Sequence, residues 1–363
     1  MTAAALAGCF DSGDDDAPIR IAIEAPLTGE QASNGQDMKR GVELAVAAVN
    51  AGGGVLGRKI ELIDADDQAN PSIGEALVSQ VSRRGVVAVI GPYNSSVGLV
   101  NLPLYTTYGI VPVHLTSDDG TSGYGVTVQP KNSQISPVEV AYISALAPAV
   151  VSMIVDPSSY TQGMADRLQS SLQAQGVRVI AVPITAGESD YTNAVRLALS
   201  ATPQVIYVST YYPEGALVAQ SLASEAASGG GNPSCFMGLA NQDPAFVTAA
   251  GIDVSRRCVF SGVPTPDQLP DATDYLARYN AAYPGVTPGV WGTFTYDSAN
   301  LLFDAMERAA TTQYSRVLKQ LRATVNFAGA TGPITIDPTT GNRPNVPVDI
   351  LAVTATGDFA VVD

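Results

Sequence analysis

Polar side chains able to grip a small molecule follow the ends of short apolar runs in this 363-residue sequence. Ser95 follows Val86–Ile90 across the turn Gly91-Pro92-Tyr93-Asn94, and His114, Thr116, Ser117 and Asp118 follow Ile110–Val113. Tyr160 comes just after Val150–Val155, and Tyr211 just after Val205–Val208. Hydroxyls at a helix start, with the free N–H groups beside them, hold a carboxylate without a buried counter-charge. On that chemistry Ser95, Thr116 and Ser117 are candidate anion donors. Asp118 can take an ammonium or a hydroxyl. Tyr160 and Tyr211 each offer an apolar face with one polar handle, and Tyr93 joins the set from the same turn as Ser95. The plainer alternative is a pair of ordinary strand–helix turns, because serine and asparagine cap helices everywhere.

The same residues argue against catalysis. His114 is the one histidine. It could be paired with Ser95, Ser117, Asp118 or Asp119, yet no G-x-S-x-G elbow is present and Ser95 sits in G-P-Y-N-S. Neither a G-x-G-x-x-G nor a G-K-[ST] signature follows a strand. Asp66-Asp67 and Asp118-Asp119 could hold a divalent cation, but read more simply as solvated loop pairs. The expectation is a binding protein, not an enzyme, with no cofactor and no metal. His114 itself either gains charge near pH 6 to 7 or serves as a structural hydrogen-bonder.

The elements that must position these groups alternate. Ile19–Glu24, Lys59–Asp64, Val86–Ile90 and Ile110–Val113 read as buried parallel strands. Between them come helices over Gln36–Ala51, whose Met38, Val42, Ala45, Val46 and Val49 share a face, over Pro71–Arg84, and after Asn94. Gln129–Pro137 reads as a crossing segment. The alternation then resumes with strands at Val150–Val155, Val177–Val182, Val205–Val208, Cys235–Gly238 and Val259–Gly262. The tail predicts helices over Asp274–Ala282, Phe294–Ala310 and Tyr314–Ala323. It also predicts strands at Thr331–Asp337, Val348–Val353 and Phe359–Val362, distributed over both halves. The fold class is therefore α/β: two doubly wound, Rossmann-like lobes joined by a multi-strand hinge. The expected division is 18–135 plus 265–345 for the first lobe, and 136–264 plus 346–363 for the second. Ligands bind such sheets outside the carboxyl ends of the strands, which is where the polar loops fall.

Formal net charge is -15, from 34 acidic against 19 basic residues. That surface repels phosphate backbones, so nucleic acid is not an expected partner. Leu6-Ala7-Gly8-Cys9 has the form of the box that precedes a lipidated cysteine, and the acidic stretch Asp11–Asp16 reads as a tether. Residues 1–17 are thus expected to be a lipoprotein-type N-terminus, with the lipid on Cys9. A basic n-region and a full apolar run are missing ahead of the box; either the start lies further upstream, which is the expectation, or Met1 is the start and the segment is a disordered tail. Membrane contact is expected only through that anchor. Cys235 and Cys258 each open a strand. They could pair in an exported protein or lie buried as small hydrophobes; a disulfide is the expectation.

Several motifs, in order, resemble the type I periplasmic binding proteins, in particular the leucine/isoleucine/valine-binding subfamily of ABC importers. They are Ala25-Pro26-Leu27-Thr28-Gly29; Ala48-Val49-Asn50-Ala51-Gly52-Gly53 with Gly57; Val89-Ile90-Gly91-Pro92 followed by Ser95; Tyr211-Tyr212-Pro213-Glu214; Phe236-Met237-Gly238; Tyr296-Asp297-Ser298-Ala299; and Gly329 with Thr331-Gly332-Pro333-Ile334. The resemblance runs from Ile19 to the end. It implies an extracytoplasmic, monomeric solute receptor that closes over a small-molecule ligand and presents it to ABC permease subunits. A ligand sensor of the same fold is the alternative. The resemblance also implies that Ser95 bonds the ligand carboxylate, that Thr116, Ser117 and Asp118 assist, and that Tyr160 and Tyr211 approach from the opposing lobe. Three positions depart from it. Ala240 stands where the family carries the carboxylate for the ligand ammonium; Asn241, Gln242, Asp243 or Asp118 could substitute. Asn34 stands at the position of a loop aromatic, and His114-Leu115 replaces serine-proline. These departures imply a more polar lining than an aliphatic amino acid needs, suited to an amino acid, an amide or another small carboxylate.

Overall fold

The structure is a computed structural model that describes residues 17–362. The Leu6–Cys9 box, with Cys9, and the acidic tether lie outside the described residues.

The first lobe is built on a five-stranded, all-parallel sheet of β1 (Ile19–Ala25), β2 (Ile60–Asp66), β3 (Ala88–Ile90), β4 (Val111–His114) and β5 (Val126–Thr127), in the order β2-β1-β3-β4-β5. Alternate residues of β1 serve different cores. Ile19, Ile21 and Ile23 join Met38, Val42, Phe294 and Leu302, while Ala22 joins Val78, Val89 and Tyr105. Both faces are covered, so the strands read as continuous apolar runs. Because β1 is flanked by β2 and β3, the crossovers leave it in opposite directions. The carboxyl ends of β1 and β3 therefore border a switch-point crevice. Gly91 follows β3 there at φ 111. A Cβ at that position would sit 1.9 Å from the Glu24 carbonyl oxygen, so only glycine fits.

The second lobe repeats the logic. Its sheet comprises β6 (Val150–Val155), β7 (Arg178–Pro183), β8 (Val205–Ser209), β9 (Ser234–Met237) and β10 (Cys258–Gly262), all parallel, in the order β10-β9-β8-β6-β7. Its switch point lies between β6 and β8, which aims the loops bearing Tyr160 and Tyr211 at the cleft. After the hairpin β11 (Phe327–Gly329) and β12 (Gly332–Ile334), the last strands β13 (Asp349–Val353) and β14 (Phe359–Val361) extend this sheet antiparallel beyond β10. The chain thus passes between the sheets after β5, after β10 and before β13. Cys235 and Cys258 face each other in register on β9 and β10 and form a disulfide.

Several boundaries differ from those predicted. The first helix runs Ala32–Ala51, so Asn34 and Gly35 lie in a helical turn and not in a loop. Tertiary contacts override the loop-like composition: Gly35 packs against the Pro26 carbonyl, and Ser33 and Asn34 bond the second lobe. The crossing segment is helical from Asn132 and continues to Ala145 in spite of Pro137. The long tail helix spans Val290–Ala309, opening a turn before the predicted Phe294. Its Gly292 looks like a breaker, but the helix packs so closely on Ala32–Ala51 that a Cβ on Gly41 would lie 2.0 Å from the Gly292 carbonyl oxygen. Only Gly332–Ile334 of the predicted strand Thr331–Asp337 is extended, paired in the β11–β12 hairpin. Among the described residues no helix is long and apolar enough to cross a membrane.

Candidate functional site

The first lobe builds one wall from three loops. Ser95 opens the helix Ser95–Tyr108 after an extended Asn94. Its Oγ accepts the Asp118 backbone N–H at 3.1 Å, so its own proton remains free to be donated. Ser117 Oγ donates to the Pro130 carbonyl at 2.8 Å and accepts from Gln129 Nε2 at 2.9 Å. Gln129 Nε2 also donates to the Leu115 carbonyl, while its Oε1 has no partner. Behind this loop lies Lys131, only 1% exposed. Its Nζ donates to the Thr116 carbonyl at 3.1 Å and to Thr121 Oγ1 at 2.7 Å. Burial pulls its pKa down to about 8, against the opposing pull of Asp119 and Asp118. It forms no ion pair among the described residues.

Aromatic rings complete the enclosure. Trp291 enters from the start of the helix Val290–Ala309. That helix start is fixed by Asp37, whose carboxylate accepts the N–H groups of Gly289 at 3.0 Å and Gly292 at 2.6 Å. The buried Asp37 carboxyl is pushed up to about 6 by desolvation. Tyr93 stacks 5.4 Å from Trp291 and 6.0 Å from Tyr211, and Tyr160 lies 5.8 Å from Tyr211. Together with Ser95, Leu115, Ser117, Gln129, Leu239 and Ala240, these four rings line a cavity between the lobes. The Tyr160 hydroxyl is buried there with no hydrogen-bond partner.

The lobes are closed over this space. Ser33 Oγ and Asn34 Nδ2 donate to Asp243 across the cleft at 2.9 and 2.5 Å. Tyr212 Oη donates to the Glu30 carbonyl at 2.7 Å, Ser96 and Ser159 hydroxyls meet at 3.2 Å, and Arg167 pairs with Asp119 at 2.7 Å.

Of the residues named from sequence, Ser95, Ser117, Tyr93, Tyr160 and Tyr211 come together around the cavity. The others do not line it. Thr116 turns its hydroxyl to His114 Nδ1 and Thr121. Asp118 spends its carboxylate on the Gly120 N–H at 2.7 Å. Asn34 belongs to the rim bond with Asp243. Gln242 clasps both backbone groups of Val263, at 2.7 and 2.9 Å, where the chain recrosses. His114 is a buried structural hydrogen-bonder whose pKa is held well below its ordinary value, by burial and then by Lys131. The lining is also less polar than expected, because Leu115, Leu239, Ala240 and four rings dominate it. Sequence reasoning missed Leu115, Gln129, Leu239 and Trp291 as lining residues, and Lys131 behind them. The one tryptophan, two residues past a Pro-Gly pair, was the signal available for Trp291.

Two switch-point edges facing each other across a hinge, with polar donors and rings on one side and rings and methyl groups on the other, are the anatomy of a solute receptor. The periplasmic binding protein family profile matches residues 18–358. The chain belongs to that family. Within it, the chain groups with the type I, branched-chain amino-acid-binding-like members. It is similar to the Leu/Ile/Val-binding protein BraC3 of Rhizobium johnstonii, at 31% identity over 278 residues, covering 73% of each chain. Its fold is similar to that of a leucine-binding protein of Thermotoga maritima, at TM-score 0.86 and 22% identity, covering 95% of this chain and 98% of that one. It is also similar to a branched-chain amino-acid substrate-binding protein of Streptococcus pneumoniae in complex with isoleucine, at TM-score 0.83 and 23% identity, covering 95% and 99%. The periplasmic binding protein is thus a non-catalytic, extracytoplasmic component of an ABC importer that binds a small polar ligand between its lobes.

Proposed function

We propose that this receptor is lipid-anchored through Cys9, acts as a monomer, and delivers an amino acid or a closely related small carboxylate or amide to its permease. In this reading Ser95, with the N–H groups that start its helix, holds the ligand carboxylate. Ser117 and Gln129 hold neighbouring polar atoms, and Tyr160 and Tyr211 cover the ligand from the second lobe. Thr116 and Asp118 support this wall from behind, the Thr116 carbonyl accepting from Lys131 and the Asp118 N–H donating to Ser95. The lobe division 18–135 plus 265–345 and 136–264 plus 346–363 puts the hinge beside Gln242. The observation that carries the reading is the meeting of Ser95 and the two tyrosines, from separate switch points, on one cavity between the lobes. The ligand names of the relatives, Leu/Ile/Val and isoleucine, support the carboxylate end of the assignment. Ligand binding energy shifts the open–closed equilibrium and no bond is made or broken.

A thermal-shift screen of amino acids, amides and small carboxylates tests the assignment, since only a ligand of the folded state raises the melting temperature by mass action. A flat response across all three classes removes it. Anchoring is tested separately: Cys9→Ser is expected to move the protein from the membrane fraction to the soluble one.

A further inference from the structure

The residues that line the cavity carry no charged side chain. No Asp or Glu contributes to its lining. The acids behind it are held by other partners: Asp118 by the Gly120 N–H, Asp243 by Ser33, Asn34 and the Ala245 N–H, Asp37 by the Gly289 and Gly292 N–H groups, Glu139 by Tyr207 and Ser261, and Asp156 through Oδ1 by Ser158 and Thr161, its Oδ2 alone being buried without a partner. Ala240, which does line the cavity, has no polar side chain to offer. Behind the Thr116–Ser117 loop lies a buried cation, Lys131, which makes no salt bridge among the described residues and feels Asp119 and Asp118 only at longer range.

Lys131 acts in two ways. It occupies the carbonyl of Thr116, the residue next to Ser117 of the lining. It also draws electron density along the Thr116–Ser117 peptide. In a planar trans peptide the N–H lies on the opposite edge from the carbonyl, so the Ser117 N–H becomes a stronger donor. A cation behind the donors, a helix start beside Ser95 and neutral partners elsewhere all favour an anion. The remaining polar atoms are neutral: the Tyr160 hydroxyl and Gln129 Oε1, both buried and unpartnered. They suit a keto or hydroxyl oxygen or an amide. A primary ammonium placed here would be desolvated with no carboxylate in the lining to meet it, which is costly.

Resting on the receptor reading above, we propose that the solute is a small carboxylate lacking an α-ammonium group, such as a keto, hydroxy or aromatic acid, and that Lys131 and Ala240 set that choice.

The full chain is titrated calorimetrically with matched pairs that differ chiefly at the α-position: 4-methyl-2-oxopentanoate against leucine, and 3-phenylpropanoate against phenylalanine. In at least one pair the acid is expected to bind about tenfold tighter or more, the scale of one uncompensated charge. Equal or tighter binding of the amino acids overturns this inference and leaves the receptor reading standing. Binding of neither member of either pair, with a flat thermal-shift screen, overturns both. Two variants locate the cause. Ala240→Glu adds a carboxylate to the lining and is expected to shift the acid-to-amino-acid ratio at least about tenfold toward the amino acid; an unchanged ratio counts against Ala240 as a determinant. Lys131→Met keeps the stem and removes the charge. It is expected to weaken the acid about tenfold while leaving its neutral amide unaffected. Equal losses for acid and amide count against Lys131. Should Lys131→Met fail to fold, Ala240→Glu and the matched pairs decide.

Discussion

The two walls of the cleft are built differently. On the first, the hydrogen bonds that fix Ser95, Ser117, Gln129 and Lys131 all run within its own lobe. On the second, Tyr160, Tyr211, Leu239 and Ala240 contribute rings and methyl groups, and Tyr211 meets Tyr93 of the first wall only because the lobes are closed. The first wall is therefore complete before closure, whereas the second acquires its contacts by closing. A ligand would be recognised for its charge by the first wall and for its shape by the second. Mutations on the two sides should then differ in kind as well as in size.

The largest loss is expected on the second wall. Tyr211→Ala removes a ring packed against both Tyr93 and Tyr160. Truncating such a buried aromatic anchor costs on the order of 2–4 kcal/mol of binding. A carboxylate and its amide should suffer alike, because shape is what is lost. Ser95→Ala on the first wall should cost less, about 1.5–3 kcal/mol for one hydrogen bond to a charged group, and should spare the amide. Isothermal titration of an acid–amide pair against both variants checks this. A Tyr211→Ala effect confined to the acid would break the division between the walls.

How far these roles could be read from sequence depends on the kind of information each needs. Ser95, Tyr160 and Tyr211 lie just past strand ends, and period and punctuation locate strand ends well. The apolar runs of β1, β6 and β8, separated by helical stretches, carry the doubly wound lobes. Lys131 was invisible because Pro130 and Asn132 beside it give no sign of burial; it is held by Thr116 and Thr121, from a loop earlier in the sequence. Asn34 and Gln242 have the chemistry of ligand contacts, but tertiary partners, Asp243 and Val263, claim them. Trp291 was missed for a similar reason. The helix start that aims it depends on Asp37 in a distant helix.

Between the walls lies the rim, and Asp243 is its main latch. Asp243→Ala leaves the donors of Ser33, Asn34 and Ala245 without their acceptor, an expected cost of about 1–3 kcal/mol. Asp243→Asn should be milder, because the Asn34 amide can reverse and present its unpartnered Oδ1. The two also differ from the parent in pH dependence. Burial raises the Asp243 carboxyl from 3.8 to about 6. The folded protein therefore holds the extra proton between those values, and this group's contribution to stability is greatest below that window. It falls as pH rises through the window and is level above it. Other buried acids add slopes of their own, so the informative quantity is the difference between parent and Asp243→Asn melting temperatures across pH 4 to 7. No difference in slope would mean that the rim carboxyl stays solvated in the closed form.

The smallest effect is expected at the outermost contact, the Arg167–Asp119 pair at 2.7 Å. It joins the lobes, but its side chains are 42% and 32% exposed. Water and salt screen such a pair, and measured contributions fall at about 0.2–1 kcal/mol. Arg167→Gln should weaken ligand binding less than about fivefold, and high salt should remove the difference between variant and parent. The comparison matters because Asp119 also faces Lys131 electrostatically. If Arg167→Gln instead weakened an anionic ligand strongly, and salt failed to close the gap, Asp119 would be acting inward on Lys131 once released from Arg167. The first wall would then not be complete before closure, because its charge would depend on a partner from the second lobe.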